Sequence, residues 1–208
     1  MKDFFKVFNS AVLAGICISM GGTVFMKVGG LWGAVLFSFG LLTVVHYALK
    51  LYTGTAGFFN PKSTEEWIQL VVIILGNAIG CGLMSMLLWS TTPELIETST
   101  QIVQKRLAAG WFNCFLAAIC CGFIMTTAVN FARKKHLMPL LFGVPLFILC
   151  GFTHSIADAF YFLCSQEFVF TKSHVILSGS VLAIWVSEIL GNLVGCNLYR
   201  ILIPKQPG

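Results

Sequence analysis

Apolar runs long enough to cross a bilayer alternate along the chain with short polar stretches. A crossing helix needs about 20 apolar residues. Runs near that length lie at 8–26, 31–49, 67–89, 110–131 and 175–203, and another at 139–152 resumes at 159–163 after a polar interruption. The pattern predicts an all-α integral membrane fold with six crossings, forming one transmembrane domain over residues 1–208. Two crossings are interrupted. The second reaches Leu49 and meets Lys50-Leu51-Tyr52-Thr53-Gly54-Thr55 before a further apolar piece at 56–59. The fifth meets Thr153-His154-Ser155 and resumes at Ile156. Each reads as a helix broken at membrane depth. Open backbone is tolerated there only when buried in protein or lining a cavity.

The interrupted crossings belong to a repeat. ILGNAIGCG at 74–82 returns as ILGNLVGCN at 189–197, an offset of 115 residues; seven of the nine positions match, counting Ile79 against Val194. A broken crossing precedes each copy. Repeat one covers about 8–90 and repeat two about 110–203. Three crossings per unit is an odd number, so the second unit enters the membrane inverted. This is the plan of transporters and channels whose discontinuous helices meet near the midplane. Gly76 and Gly80, like Gly191 and Gly195, are four residues apart and form patches that admit a neighbouring helix. Asn77 and Asn192 are placed to donate to carbonyls freed by the breaks.

Composition supports the membrane reading. The chain is 57% hydrophobic and 10% charged, against about 25% charged in soluble domains. The first segment lacks a small-x-small cleavage site and reads as the first crossing rather than a signal peptide. The formal net charge of +5 is spread over loops, with no basic stripe suited to nucleic acid. Lys2, Lys6, Lys62, Arg133, Lys134, Lys135, Arg200 and Lys205 fall on one side of the predicted membrane; Lys27, Lys105, Arg106 and Lys172 fall on the other. Cytoplasmic loops carry the excess of Lys and Arg. Both termini are therefore predicted to be cytoplasmic. The eight cysteines lie mostly in apolar stretches, without zinc-ligand spacing. Neither a metal nor a cofactor is expected. A thiol oxidoreductase would need two cysteines or a metal cluster on one aqueous face, so no enzymatic activity is expected either.

LKLYTGTAGFF after the second crossing, GFTHSIADAFY in the fifth and the two LGN motifs resemble the formate–nitrite transporter family over nearly the whole chain. The resemblance implies an aquaporin-like fold and a homopentamer in the cell inner membrane, with one pore per subunit. It also implies passage of small monovalent weak-acid anions such as formate, nitrite or hydrosulfide, with a proton as partner. His154 matches the family's central pore histidine, and Thr53 the threonine that faces it. Leu51 and Tyr52 match a Leu-Phe pair. Leu41 and Phe37 would line the cytoplasmic constriction with Leu51, and Phe147 and Tyr52 the opposite one. Lys50 stands where many members carry an acidic residue, Thr153 where a glutamate is usual, and Asp158 where an asparagine is usual. Lys50, inside a crossing, is a functional candidate as an ionisable residue at membrane depth. Glu188 and Asp158 compete as its charge partner. An aquaporin-like channel for a small neutral solute, which lacks support from paired Asn-Pro-Ala motifs here, and a non-transporting sensor or scaffold are the other readings.

Overall fold

The computed structural model describes residues 2–166, 168–171, 174–177 and 179–203, with side chains described for 4–166 and 179–203. Lys172 and Lys205, used above for orientation, lie outside the described residues. Helix α1 (Lys2–Val28) leads into α2 (Gly30–His46), a short α3 (Tyr52–Thr55) and α4 (Thr64–Thr91). Helix α5 (Glu94–Arg133) follows, then α6 (Met138–Leu149) and α7 (Ser155–Cys164). Strands β1 (Phe168–Thr171) and β2 (His174–Leu177) precede α8 (Gly179–Cys196) and α9 (Leu198–Leu202).

The strands form an antiparallel hairpin with Phe168 opposite Leu177 and Thr171 opposite His174. The sequence reading started the last crossing at 175; the chain instead uses 174–177 in the hairpin and begins α8 at Gly179. Val, Ile, Phe and Thr suit a strand as well as an apolar helix, so hydropathy alone does not separate the two.

Two further boundaries differ. Helix α2 stops at His46 rather than Leu49, because the chain turns at Tyr47 and Ala48, and the Ala48 φ of 50° lies in the left-handed region. No polar residue marks that reversal. Helical residues also extend back from 110 to Glu94, as an arm joined to the rest of α5 at Gly110 (φ 78°, ψ 162°). Glu94, Glu97, Lys105 and Arg106 lower the arm's hydropathy and hid it. Its inner side buries Leu95, Ser99 and Val103, and Ser99 Oγ donates to the Tyr161 carbonyl at 2.7 Å.

The breaks and the LGN motifs are held by two helix pairs, α1 with α4 and α5 with α8. In each pair the helices meet at the glycine patches. A Cβ on Gly76 would stand 2.7 Å from that of Ala11, and a Cβ on Gly191 2.7 Å from that of Ala118. A Cβ on Gly80 would collide with the Val12 carbonyl, and one on Gly195 with that of Ile119. The interior is filled by Ile73, Met125, Leu140, Ile156, Phe160 and Phe162. The outer surface is also apolar: Trp32, Phe39, Leu75, Leu87, Phe142 and Leu149 are exposed in the single chain. A monomeric soluble protein rarely shows so much contiguous apolar surface. Among the described residues, four helical stretches are long and apolar enough to cross a bilayer: Phe4–Val28, Thr64–Thr91, Glu94–Arg133 and Gly179–Cys196. Helices α2, α6 and α7 are apolar but shorter.

Candidate functional site

Each chain break is fixed by one asparagine. Asn77 Oδ1 accepts the Tyr52 N–H at 2.9 Å, while its Nδ2 donates to the carbonyls of Lys50 at 2.9 Å and Ala11 at 2.8 Å. Asn192 Oδ1 accepts the Ser155 N–H at 2.9 Å, and its Nδ2 donates to the carbonyls of Thr153 at 3.1 Å and Ala118 at 2.9 Å. The two amides therefore satisfy backbone groups that the interrupted helices leave open. The bonds also set the repeat register. Lys50 corresponds to Thr153, Leu51 to His154, and Tyr52 to Ser155. The counterpart of His154 is thus Leu51, and Thr53 faces the histidine from two residues farther along.

The facing is direct. His154 Nε2 and Thr53 Oγ1 are 2.8 Å apart, and both residues are buried. His154 also caps α7, with Nδ1 accepting the Ala157 N–H at 3.2 Å. An acceptor Nδ1 places the ring proton of the neutral imidazole on Nε2. Nε2–H then donates to Thr53 Oγ1, which leaves the threonine hydroxyl proton free for another acceptor. A second ring proton, on Nδ1, would point at the Ala157 N–H, donor against donor. Phe147 stacks on the imidazole at a centroid distance of 5.6 Å and fixes its plane.

Two cavities approach this pair. One, of about 210 Å³, is lined by Leu41, Val44, Leu51, Gly54, Val129, Lys50 and Arg133 among others. The other, of about 200 Å³, is lined by Phe25, Phe37, Phe147, Phe152, His154, Lys105, Arg106 and Asp158 among others. His154 belongs to the second cavity, and its partner Thr53 lies between Leu51 and Gly54 of the first. The hydrogen bond thus ties the wall of the second cavity to the chain segment that lines the first. Each cavity combines apolar side chains with two cations. Lys50 is exposed in the first, and Arg133 packs its guanidinium over the Phe58 ring at 3.6 Å.

Several residues stand elsewhere than the sequence reading put them. Phe37 lines the Arg106 cavity, edge-on to Phe147 with centroids 6.3 Å apart, and not the cavity of Leu41 and Leu51. One turn of helix separates Phe37 from Leu41, enough to carry it past the constriction. Tyr52 lines neither cavity; its side chain turns into the protein and its hydroxyl donates to the Ile189 carbonyl at 2.8 Å. Thr153 is likewise withdrawn, with Oγ1 donating to the Cys114 carbonyl at 2.8 Å. Lys50, in the non-helical stretch between α2 and α3, pairs with neither Glu188 nor Asp158. Asp158 lines the opposite cavity and binds Arg106, whose Nε donates to Oδ2 at 2.9 Å.

Sequence reasoning missed Arg106, Arg133 and Lys105 as cavity residues, because it assigned them to loops. It also missed Phe25 and Phe152, which the aromatic-rich composition conceals. Arg106 was recoverable: Leu95, Ser99, Ile102, Val103 and Arg106 recur at spacings of three and four, as on one helix face.

The comparisons bear on the same arrangement. The family model described as Formate/nitrite transporter matches residues 1–204. The chain is 27% identical over 218 residues to a formate-nitrite transporter of Entamoeba histolytica, covering 93% of this chain and 59% of that one. It is 26% identical over 187 residues to the formate channel FocA of Escherichia coli K12, covering 76% of this chain and 66% of that one. An uncharacterized transporter of Saccharomyces cerevisiae is 25% identical over 193 residues, which are 29% of its length. The chain thus spans less than two thirds of each of these curated relatives. In structure it is similar to a pentameric formate channel with formate bound, with a TM-score of 0.82 at 21% identity over 97% of this chain and 96% of that one. It is also similar to an FNT family ion channel, with a TM-score of 0.79 at 17% identity over 94% and 87%. With the family model matched over residues 1–204 and four helices among the described residues long and apolar enough to cross a bilayer, the chain is an integral membrane protein that belongs to the formate/nitrite transporter family.

Proposed function

We propose that the chain is one subunit of a homopentameric channel for small monovalent weak-acid anions, such as formate, nitrite or hydrosulfide, with passage past His154 that depends on protons. The observation that carries this reading is the buried His154–Thr53 hydrogen bond between two cation-bearing cavities. The relatives named as formate channels or transporters supply the substrate class. The pentamer is inferred from the assembly named for the structural neighbour.

In this account the chain crosses the membrane six times. Helices α2 with α3, and α6 with α7, each make one crossing in two pieces around a break. Both termini and the Lys50–Arg133 cavity face the cytoplasm of the inner membrane, and the Lys105–Arg106 cavity faces outward. The Lys and Arg distribution supports this sidedness.

An anion entering an apolar constriction loses hydration at a cost of several kcal/mol or more. Cations in each cavity raise the local anion concentration before that step. Between the cavities, Leu41 and Leu51 on one side and Phe37 and Phe147 on the other exclude water from the path. The His154 Nε2–H and the Thr53 hydroxyl form one donor line. The imidazole polarises Thr53, and Thr53 presents its own proton to the anion. The threonine donates a hydrogen bond and keeps its proton; the anion takes up a proton from water on the entry side, crosses the apolar ring as the neutral acid, and returns the proton to water on the far side.

The test is flux of formate, nitrite and hydrosulfide into proteoliposomes holding the purified protein, beside protein-free liposomes. Flux of at least one anion supports the reading. Passage of neutral solutes alone would select the aquaporin-like alternative, and no flux of either kind the non-transporting one.

A further inference from the structure

Glu188 is the buried charge that the channel mechanism does not use. It lies on α8, one turn before the Gly191-Asn192 motif, and its relative exposure is 0%. Neither Oε1 nor Oε2 receives a hydrogen bond from any donor among the described residues. The charged or titratable groups that face it are Asp158 of α7 and Arg106, Cys114 and Cys121 of α5. Arg106 does not satisfy it. Its Nε donates to Asp158 Oδ2 at 2.9 Å, and its Nη1 donates to the Gly151 carbonyl at 3.1 Å. One guanidinium thus serves two carboxyl groups, and all of its hydrogen bonds go elsewhere than Glu188.

Both carboxyls cannot be ionised cheaply here. An ionised carboxylate with no donor in a dry interior carries the full desolvation penalty, and a second carboxylate beside it adds repulsion. A single proton between the two removes both difficulties. It makes one carboxyl an O–H donor to the other, so that Glu188 gains a partner. It also reduces the cluster to one positive guanidinium and one negative carboxyl pair. Two carboxylates plus one proton give a pair of charge −1, with no other bond made or broken. This is the logic of paired acids that share a proton.

We propose that Asp158 and Glu188 form a proton-holding acid pair against Arg106, a titratable site separate from His154. Asp158 lines the same cavity as His154 and is the route by which the proton exchanges with water there. Glu188 stands behind it, out of that cavity. While the proton is held, Arg106 and the pair cancel, and Lys105 leaves the cavity attractive to anions. Loss of the proton turns the cluster negative and opposes anion entry. This consequence rests on reading the cavity as an anion path; the proton itself does not.

The experiment is infrared difference spectroscopy of the full-length protein in membranes at about pH 7, in water and in deuterium oxide. Wild type is expected to show the carbonyl stretch of an un-ionised carboxylic acid, shifted in deuterium oxide and missing from Glu188→Gln. Wild type grown with carboxyl-labelled aspartate and glutamate identifies the band as an Asp or Glu side chain, and a shift of the band in Asp158→Asn ties it to the pair should Glu188→Gln fold poorly. A spectrum with no such band, or a band unchanged by the label or in both variants, would overturn the pair. The band requires no ion to cross the membrane. Failure of the flux assay with the band present would therefore count against the channel and not against the pair.

Discussion

Asn77 and Asn192 hold two separate chain breaks by the same three hydrogen bonds, one accepted from the chain after the break and two donated to carbonyls. Both side chains are fully buried, and one donated bond in each set crosses to the partner helix of the pair, at Ala11 or Ala118. Replacing either by alanine leaves one N–H and one carbonyl at the break without partners, because the Ala11 and Ala118 carbonyls keep their intrahelical bonds. A buried unsatisfied polar group costs about 1–3 kcal/mol. Asn77→Ala and Asn192→Ala are each expected to destabilise the protein by roughly 2–4 kcal/mol, read as a fall in the thermal transition in detergent. The two falls should be of similar size; a large fall in one and none in the other would contradict the equivalence.

The glycine patches give a second test. An alanine at Gly80 or Gly195 puts a methyl group into the backbone of the facing helix. Such overpacking costs typically about 1–3 kcal/mol. Gly82→Ala is the control, because its added Cβ would meet only a Leu163 methyl at 3.9 Å. Thermal unfolding should rank Gly80→Ala and Gly195→Ala well below Gly82→Ala. Equal stability of all three would contradict close packing at these sites.

Lys50 acts, in this account, by its charge alone, since it makes no ion pair among the described residues. Lys50→Glu is expected to reduce anion flux several-fold at low ionic strength. The deficit should shrink near 1 M salt, where the screening length falls to about 3 Å. Lys50→Gln should lie between. A loss independent of salt would mean that Lys50 serves the structure of the break instead.

Arg106 holds Asp158 and the Gly151 carbonyl together across the arm of α5 and the break before α7. Removing one partner of a buried ion pair typically costs about 3–5 kcal/mol. Arg106→Ala is therefore expected to be severely destabilising. Arg106→Ala with Asp158→Asn should recover part of the loss, because no carboxylate at 158 is then left unpaired. No recovery in the double variant would show that the bond to Gly151, not the charge, carries the effect.

The broad plan was legible in the sequence for physical reasons. A helix that crosses a bilayer must be apolar over its length, and a break at that depth must be served by polar groups. The LGN repeat and the His154 segment therefore stood out. The lateral details were not legible. Whether Phe37 faces one cavity or the other depends on about one helical turn, and whether Tyr52 and Thr153 face a cavity depends on the direction of a side chain in non-regular backbone. The arm that carries Arg106 fell below the hydropathy of a crossing because Glu94, Glu97, Lys105 and Arg106 interrupt its apolar residues. Glu188 was noticed as an intramembrane acid. Its surroundings, Asp158 and Arg106 but not Lys50, follow from folding that brings α8 against α5 and α7.

The account's central claim is that anion passage runs through the His154–Thr53 contact. Its most direct test is formate flux in proteoliposomes from pH 5 to 8, wild type beside His154→Phe, with pentamer assembly checked for both. Phenylalanine keeps the ring stacked near Phe147 and removes both nitrogens. The account predicts that wild-type flux rises as pH falls, and that His154→Phe assembles normally but loses this dependence. Two superimposable pH profiles would contradict it.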